Sequence, residues 1–147
     1  GLEDPEDDTS ISSKSQALLL FNPVYDNGPD GYGHSRVTKW FPAISPAHNL
    51  TSDDPPTIVF LGSEDQLIPV STAQKFRDTQ EKLGIKSELH IYEGEPHGFF
   101  NLRIGQGKKE HFIDTLLKTD AFLAELGYLK GKADRELLKR IVESEKK

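Results

Sequence analysis

Two residues in this chain have side chains suited to passing a proton between them, and both end apolar runs. Asp65 follows Thr57-Ile58-Val59-Phe60-Leu61 across Gly62-Ser63-Glu64, and His97 follows Leu89-His90-Ile91-Tyr92 across Glu93-Gly94-Glu95-Pro96. Each run reads as a buried strand entering a polar loop. A helix-like stretch lies between them, so the order strand, helix, strand predicts adjacent parallel strands with both loops at one sheet edge. A carboxylate bonded to one imidazole nitrogen fixes the ring's tautomer and stabilises its cation. The other nitrogen is then free to take a proton near neutral pH and return it. This is the acid-and-base half of a hydrolytic triad. Glu64, next to Asp65, offers a competing carboxylate in the same loop.

The nucleophile half has no match. There is no cysteine, which also excludes disulfides and thiolate zinc sites and leaves the compartment open. No serine lies in a Gly-x-Ser-x-Gly turn. Gly33-His34-Ser35-Arg36-Val37 comes nearest, but it lacks the second glycine and a preceding strand, so Ser35 reads as a loop residue. Ser63 fails for the same reason. The chain also contains no methionine, which predicts that its natural N-terminus lies upstream of Gly1.

With 147 residues, 35% hydrophobic and 29% charged, the chain is long enough for one soluble compact domain. A net charge of −6 argues against non-specific nucleic-acid binding, which needs a basic face. No apolar run approaches a membrane span.

The elements that would carry the pair can be read in order. Residues 1–15 are an acidic, exposed lead-in with Glu3, Asp4, Glu6, Asp7 and Asp8. Ala17-Leu18-Leu19-Leu20-Phe21, closed by Asn22-Pro23, fits a strand covered on both faces. Residues 24–54 read as a long loop with turn chemistry at Asn27-Gly28-Pro29-Asp30-Gly31, anchored by Trp40-Phe41-Pro42 and Ile44-Ser45-Pro46. A helix is predicted over 71–83, with Ser71 capping its start and Gly84 its end. A second is predicted over 108–127, with Gly127 as its stop. A third, amphipathic helix is expected within 130–147, where Leu137, Leu138, Ile141 and Val142 form a stripe that must bury against something. The fold class is therefore α/β, with about three parallel strands, flanking helices and a bare sheet edge. The domain itself is expected over 16–129.

At Gly62-Ser63-Glu64-Asp65, Ile68-Pro69-Val70 and Gly94-Glu95-Pro96-His97-Gly98-Phe99 the chain resembles the C-terminal portion of the α/β-hydrolase superfamily. The resemblance is to its acetyl-esterase, lipase-like and dienelactone-hydrolase-like branches, and it covers about residues 16–127. It implies that Asp65 is the triad acid, that His97 is the general base, and that the serine and the oxyanion-hole donors lie before residue 1. Ala17–Pro23 would be the strand following the nucleophile helix. The implied activity is hydrolysis of short-chain, acetyl-like carboxylic esters by a serine esterase, with no metal or organic cofactor. By this resemblance the 147-residue chain alone is expected to be inactive. Tyr32, Trp40 and Phe41 are expected to wall the substrate pocket. The alternative is a catalytically incomplete relative that self-associates through its sheet edge or C-terminal helix. The peptidase branch shares this C-terminal layout.

The remaining polar residues read as structural. His90 is mid-strand. His34, His48 and His111 have no partner at a metal-ligand spacing. Glu93 and Glu95 read as solvated charges. Asn49-Leu50-Thr51 is a glycosylation sequon.

Overall fold

The computed structural model describes residues 4–8, 10–102 and 108–144. Glu3 of the acidic lead-in and the last three residues of the C-terminal segment lie outside the described residues.

β1 (Leu18–Phe21), β2 (Thr57–Gly62) and β3 (Ser87–Tyr92) form a three-stranded parallel sheet in the order β1-β2-β3. β2 is central and every one of its residues is buried. Its side chains alternate between the two faces, as the period of two requires. Val59 and Leu61 join one core cluster with Tyr25, Ile68, Ala73 and Phe76. Ile58 and Phe60 join the other with Tyr92, Phe99 and Phe122. α3 (Val70–Lys82) supplies Ala73 and Phe76 to the first face, and α4 (Lys109–Glu125) supplies Phe122 to the second. β1 differs from the sequence expectation: all four of its residues are only half-buried, because it is an edge strand. Pro56 immediately precedes β2, where its missing N–H costs nothing and its carbonyl accepts from Leu18 N–H at 2.9 Å.

A buried polar chain fixes α3 to the entry of the sheet. Gln80 Nε2 donates to Thr57 Oγ1 at 2.9 Å, and Ser87 Oγ donates to Gln80 Oε1 at 2.7 Å. Each burial is thus matched by a partner. α3 begins at Val70, with extended Pro69 at the cap position, and no side chain caps it. Ser71 does not play the predicted role, because it already lies inside the first turn.

The 24–54 segment is less irregular than expected. It contains α1 (His34–Val37), α2 (Phe41–Ile44) and a 3₁₀ turn at Pro46–His48. Of its two expected anchors, the one at Ser45 holds and the one at Trp40 does not. Trp40 is 68% exposed, whereas Tyr25 and Ser45 are buried. Tyr25 stacks on Phe76 at 4.4 Å between ring centroids. Ser45 Oγ donates to Tyr25 O and accepts from Asn27 N–H, and Ala47 N–H donates to Tyr25 O. The sequon residue Asn49 is exposed, and its Nδ2 donates to the carbonyls of Pro42 and Ser45.

α5 (Arg135–Ser144) buries Val142, whose carbonyl accepts from Lys109 Nζ at 2.9 Å. Leu137 and Ile141 of the same stripe are exposed.

Candidate functional site

The β2–β3 ladder ends at the pair Gly62 and Tyr92, and two loops leave it side by side. They are stitched together at once. Ser63 N–H donates to Tyr92 O at 2.9 Å, Glu64 N–H to Glu95 O at 3.0 Å, and Gly94 N–H to Ser63 Oγ at 2.8 Å. Gly62 is the crossing point: a Cβ there would lie 2.1 Å from Glu95 O. Gly94 and Gly98 take the left-handed backbone conformation that turns the histidine loop around His97.

The Asp65 side chain is fully buried, and both carboxylate oxygens are engaged. Oδ1 accepts the backbone N–H groups of Leu67 at 2.8 Å and Ile68 at 3.1 Å. Oδ2 accepts Asn22 Nδ2 at 2.6 Å and His97 Nδ1 at 2.9 Å. Burial by itself would push this carboxyl up. The donors at Leu67, His97, Ile68 and Asn22 outweigh it and hold the pKa below the ordinary 3.8. Asp65 is therefore a permanent anion at neutral pH. Glu64, its neighbour, is exposed.

His97 donates from Nδ1 to this buried anion, while the ring is 44% exposed. Its Nε2 is then the nitrogen free to accept a proton. The floor beneath the loop is aromatic. Phe99 is fully buried against Tyr92 at 4.5 Å, and Phe100 packs on Phe21 at 4.9 Å.

Glu95 is not the solvated charge the sequence suggested. It is 3% exposed, paired with Lys108, and 3.1 Å from His111 Nε2. The sequence holds no local sign of this, because both partners come from the start of α4. Lys108 holds the Glu95 carboxyl below its ordinary 4.5 against the opposing effect of burial, with His111 adding to the lowering. A carboxyl whose pKa is lower folded than unfolded adds stability above the unfolded value, and that stability is lost as pH falls through the folded one. Glu95→Gln is therefore expected to lower the melting temperature at neutral pH. The gap from the parent should close below about pH 4.5. Calorimetry across that range checks this, and a pH-independent gap would refute the ion-pair explanation.

The other predicted residues scatter. Tyr32 lines a cavity of about 130 Å³ with Tyr25, Asp26, Leu67 and Ile68, so it borders the acid loop. Trp40 is on the loop surface, and Phe41 packs edge-on to His34 and His48. Ser35 lies in short helix α1 and is exposed. His90 stacks on Phe60 at 5.5 Å, with Nε2 3.3 Å from Glu88. Among the described residues, no group of three or more acidic or histidine side chains converges as a metal site. No helix of the described residues is long and apolar enough to cross a membrane.

A parallel sheet packed on both faces, with a carboxylate and an imidazole meeting at the ends of neighbouring strands, places this chain in the α/β-hydrolase superfamily. Within it, the chain belongs to the prolyl oligopeptidase family, which it matches over residues 8–127. Solved structures agree. Esterase 2 of Thermogutta terrifontis phosphorylated by paraoxon is 38% identical, with a TM-score of 0.76 over 90% of this chain and 48% of that one. The apo form of the same esterase is 37% identical, with a TM-score of 0.78 over 90% of this chain and 50% of that one. The isoprenylcysteine alpha-carbonyl methylesterase ICME of Arabidopsis thaliana is 36% identical over 75 residues, which are 50% of this chain and 17% of that protein. The chain thus spans about half the length of the esterase structures it matches.

Proposed function

We propose that this chain carries the acid–base pair of a serine carboxylesterase whose nucleophile and oxyanion hole lie outside these 147 residues. One observation carries the reading: a buried, fully hydrogen-bonded Asp65 holds Nδ1 of a solvent-facing His97 at 2.9 Å. In the reaction, His97 Nε2 takes the proton from the serine hydroxyl as its oxygen attacks the ester carbonyl. It returns that proton to the leaving alkoxide, giving alcohol and acyl-enzyme. Water then repeats the cycle and releases the acid, with Asp65 anionic throughout. Short acyl groups are favoured because the related Thermogutta esterase has been solved propionate-bound and butyrate-bound. Tyr32, beside the acid loop, is the most favourably placed of the three pocket candidates. Trp40 and Phe41 would reach substrate only through the 24–54 segment's outer surface.

The test compares the 147-residue chain with a polypeptide extended upstream, using a fluorophosphonate probe and p-nitrophenyl acetate and butyrate. The extended polypeptide is expected to label and turn over, and the shorter chain to do neither. Labelling of the 147-residue chain would overturn the assignment and point to Ser35. Cleavage of a prolyl peptide in preference to both esters would favour a peptidase, the second reading the family name supports. A self-associating, non-catalytic role is the remaining alternative. It is motivated by the half-buried edge strand β1 and by exposed Leu137 and Ile141.

A further inference from the structure

We propose that Asn22 is a positioning residue for the acid–base pair, clamping the same Asp65 oxygen that receives His97. The inference rests on the reading of Asp65 and His97 given above. Asn22 is the first residue beyond β1, and its N–H extends the sheet by one more bond, to Phe60 O at 2.9 Å. Its Nδ2 donates to Asp65 Oδ2 at 2.6 Å, and His97 Nδ1 donates to that oxygen at 2.9 Å. Each of three adjacent parallel strands thus delivers one residue at its C-terminal end: asparagine, aspartate, histidine. The other oxygen, Oδ1, is held by backbone amides. Asn22 is therefore the second side-chain donor on the carboxylate and the one that opposes rotation of Oδ2 away from the ring.

The cost at this residue points the same way. Asn22 has φ 46, the one left-handed non-glycine backbone among the described residues. It is 5% exposed, and its Oδ1 is buried without a hydrogen-bond partner. Turning the amide over would set Oδ1 against the carboxylate, so the observed orientation is forced by charge. Strained backbone and an unmet acceptor at one buried position persist where the remaining contact matters. Three side chains face Asp65: His97 from the loop after β3, Asn22 just past β1, and the buried Tyr25 phenol, which burial and the Asp65 charge keep protonated.

Two substitutions separate the donor from the shape. Asn22→Asp keeps volume and tolerates the backbone angle, but replaces the donor with a second carboxylate. Asn22→Gly removes the amide and suits the backbone angle better. The readout is the acid-side transition of the pair in the 147-residue chain, followed by NMR at the His97 ring and the Asp65 carboxyl carbon. It is expected to move to higher pH in the order parent, Asn22→Gly, Asn22→Asp, with the last shifted by about one unit, a tenfold change in proton affinity. The thermal midpoint of Asn22→Gly should stay within a few degrees of the parent. An Asn22→Asp chain that titrates like the parent overturns the proposal, as does an Asn22→Gly chain that shifts only by unfolding. The readout needs no substrate, so failure of the esterase reading and failure of this one are told apart.

Discussion

Asp65→Asn, in a polypeptide extended upstream, is expected on the proposed esterase reading to lower kcat on p-nitrophenyl acetate by about 10⁴-fold with KM little changed. The reason is tautomeric. Oδ1 accepts the Leu67 and Ile68 amides, so an asparagine keeps its carbonyl there and turns its NH₂ toward Asn22 and His97. Two donors would then face each other across the 2.6 Å contact with Asn22, and His97 Nδ1 could no longer donate. The ring is driven to carry its proton on Nε2, where the proposed serine hydroxyl would need an acceptor. Steady-state kinetics checks this against Glu64→Gln, which is expected to stay within about twofold of the parent, because an exposed side chain of that kind adds little. A loss below tenfold for Asp65→Asn would mean that another carboxylate supports the histidine.

Gly62→Ala is expected to be among the most destabilising single substitutions in the domain. The added methyl would lie 2.1 Å from Glu95 O, 2.7 Å from Glu95 C and 2.8 Å from Pro96 O. All three are backbone atoms, so no side chain can rotate away. Relief requires the histidine loop to shift, breaking the bonds from Ser63 and Glu64 that align it with the acid loop. The cost is about 3 kcal/mol or more, a fall of roughly 10 °C in Tm. Gly94→Ala is the control. It has φ 71 with open space around the new methyl, so it bears only the backbone penalty, about 1 kcal/mol. Thermal melts of both variants decide the matter, and equal losses would show that crowding at the crossing is unimportant.

Much of the fold was legible because its signals are local. Ile58 to Leu61 form a continuous apolar run, and a central strand buried on both faces needs one. Gly84 and Gly127 each take a left-handed conformation just past a helix, as a C-terminal stop requires. Features that depend on distant chain segments were not legible. Glu95 is flanked by a glycine and a proline and looks like a loop charge until Lys108 and His111 are brought over it. Asn22 before Pro23 reads as a strand terminator, and only the sheet order reveals that it reaches Asp65. Of the two expected anchors, Trp40 is exposed, and Ile44-Ser45-Pro46 holds through Ser45, whose hydroxyl meets the Tyr25 carbonyl and the Asn27 amide. Hydrogen-bond capacity decided that packing, and hydrophobicity gave no hint of it.

The registered pairing of β2 with β3 also bears on how this pair withstands change. Asp65 and His97 are far apart along the chain, yet each lies only a few residues past the rung Gly62–Tyr92. Their separation is inherited from the ~4.8 Å repeat between neighbouring strands. The crossover through α3 sets how long the path between them is, but not how far apart they stand. A change confined to the outer side of that helix therefore leaves the spacing of Asp65 and His97 to the ladder.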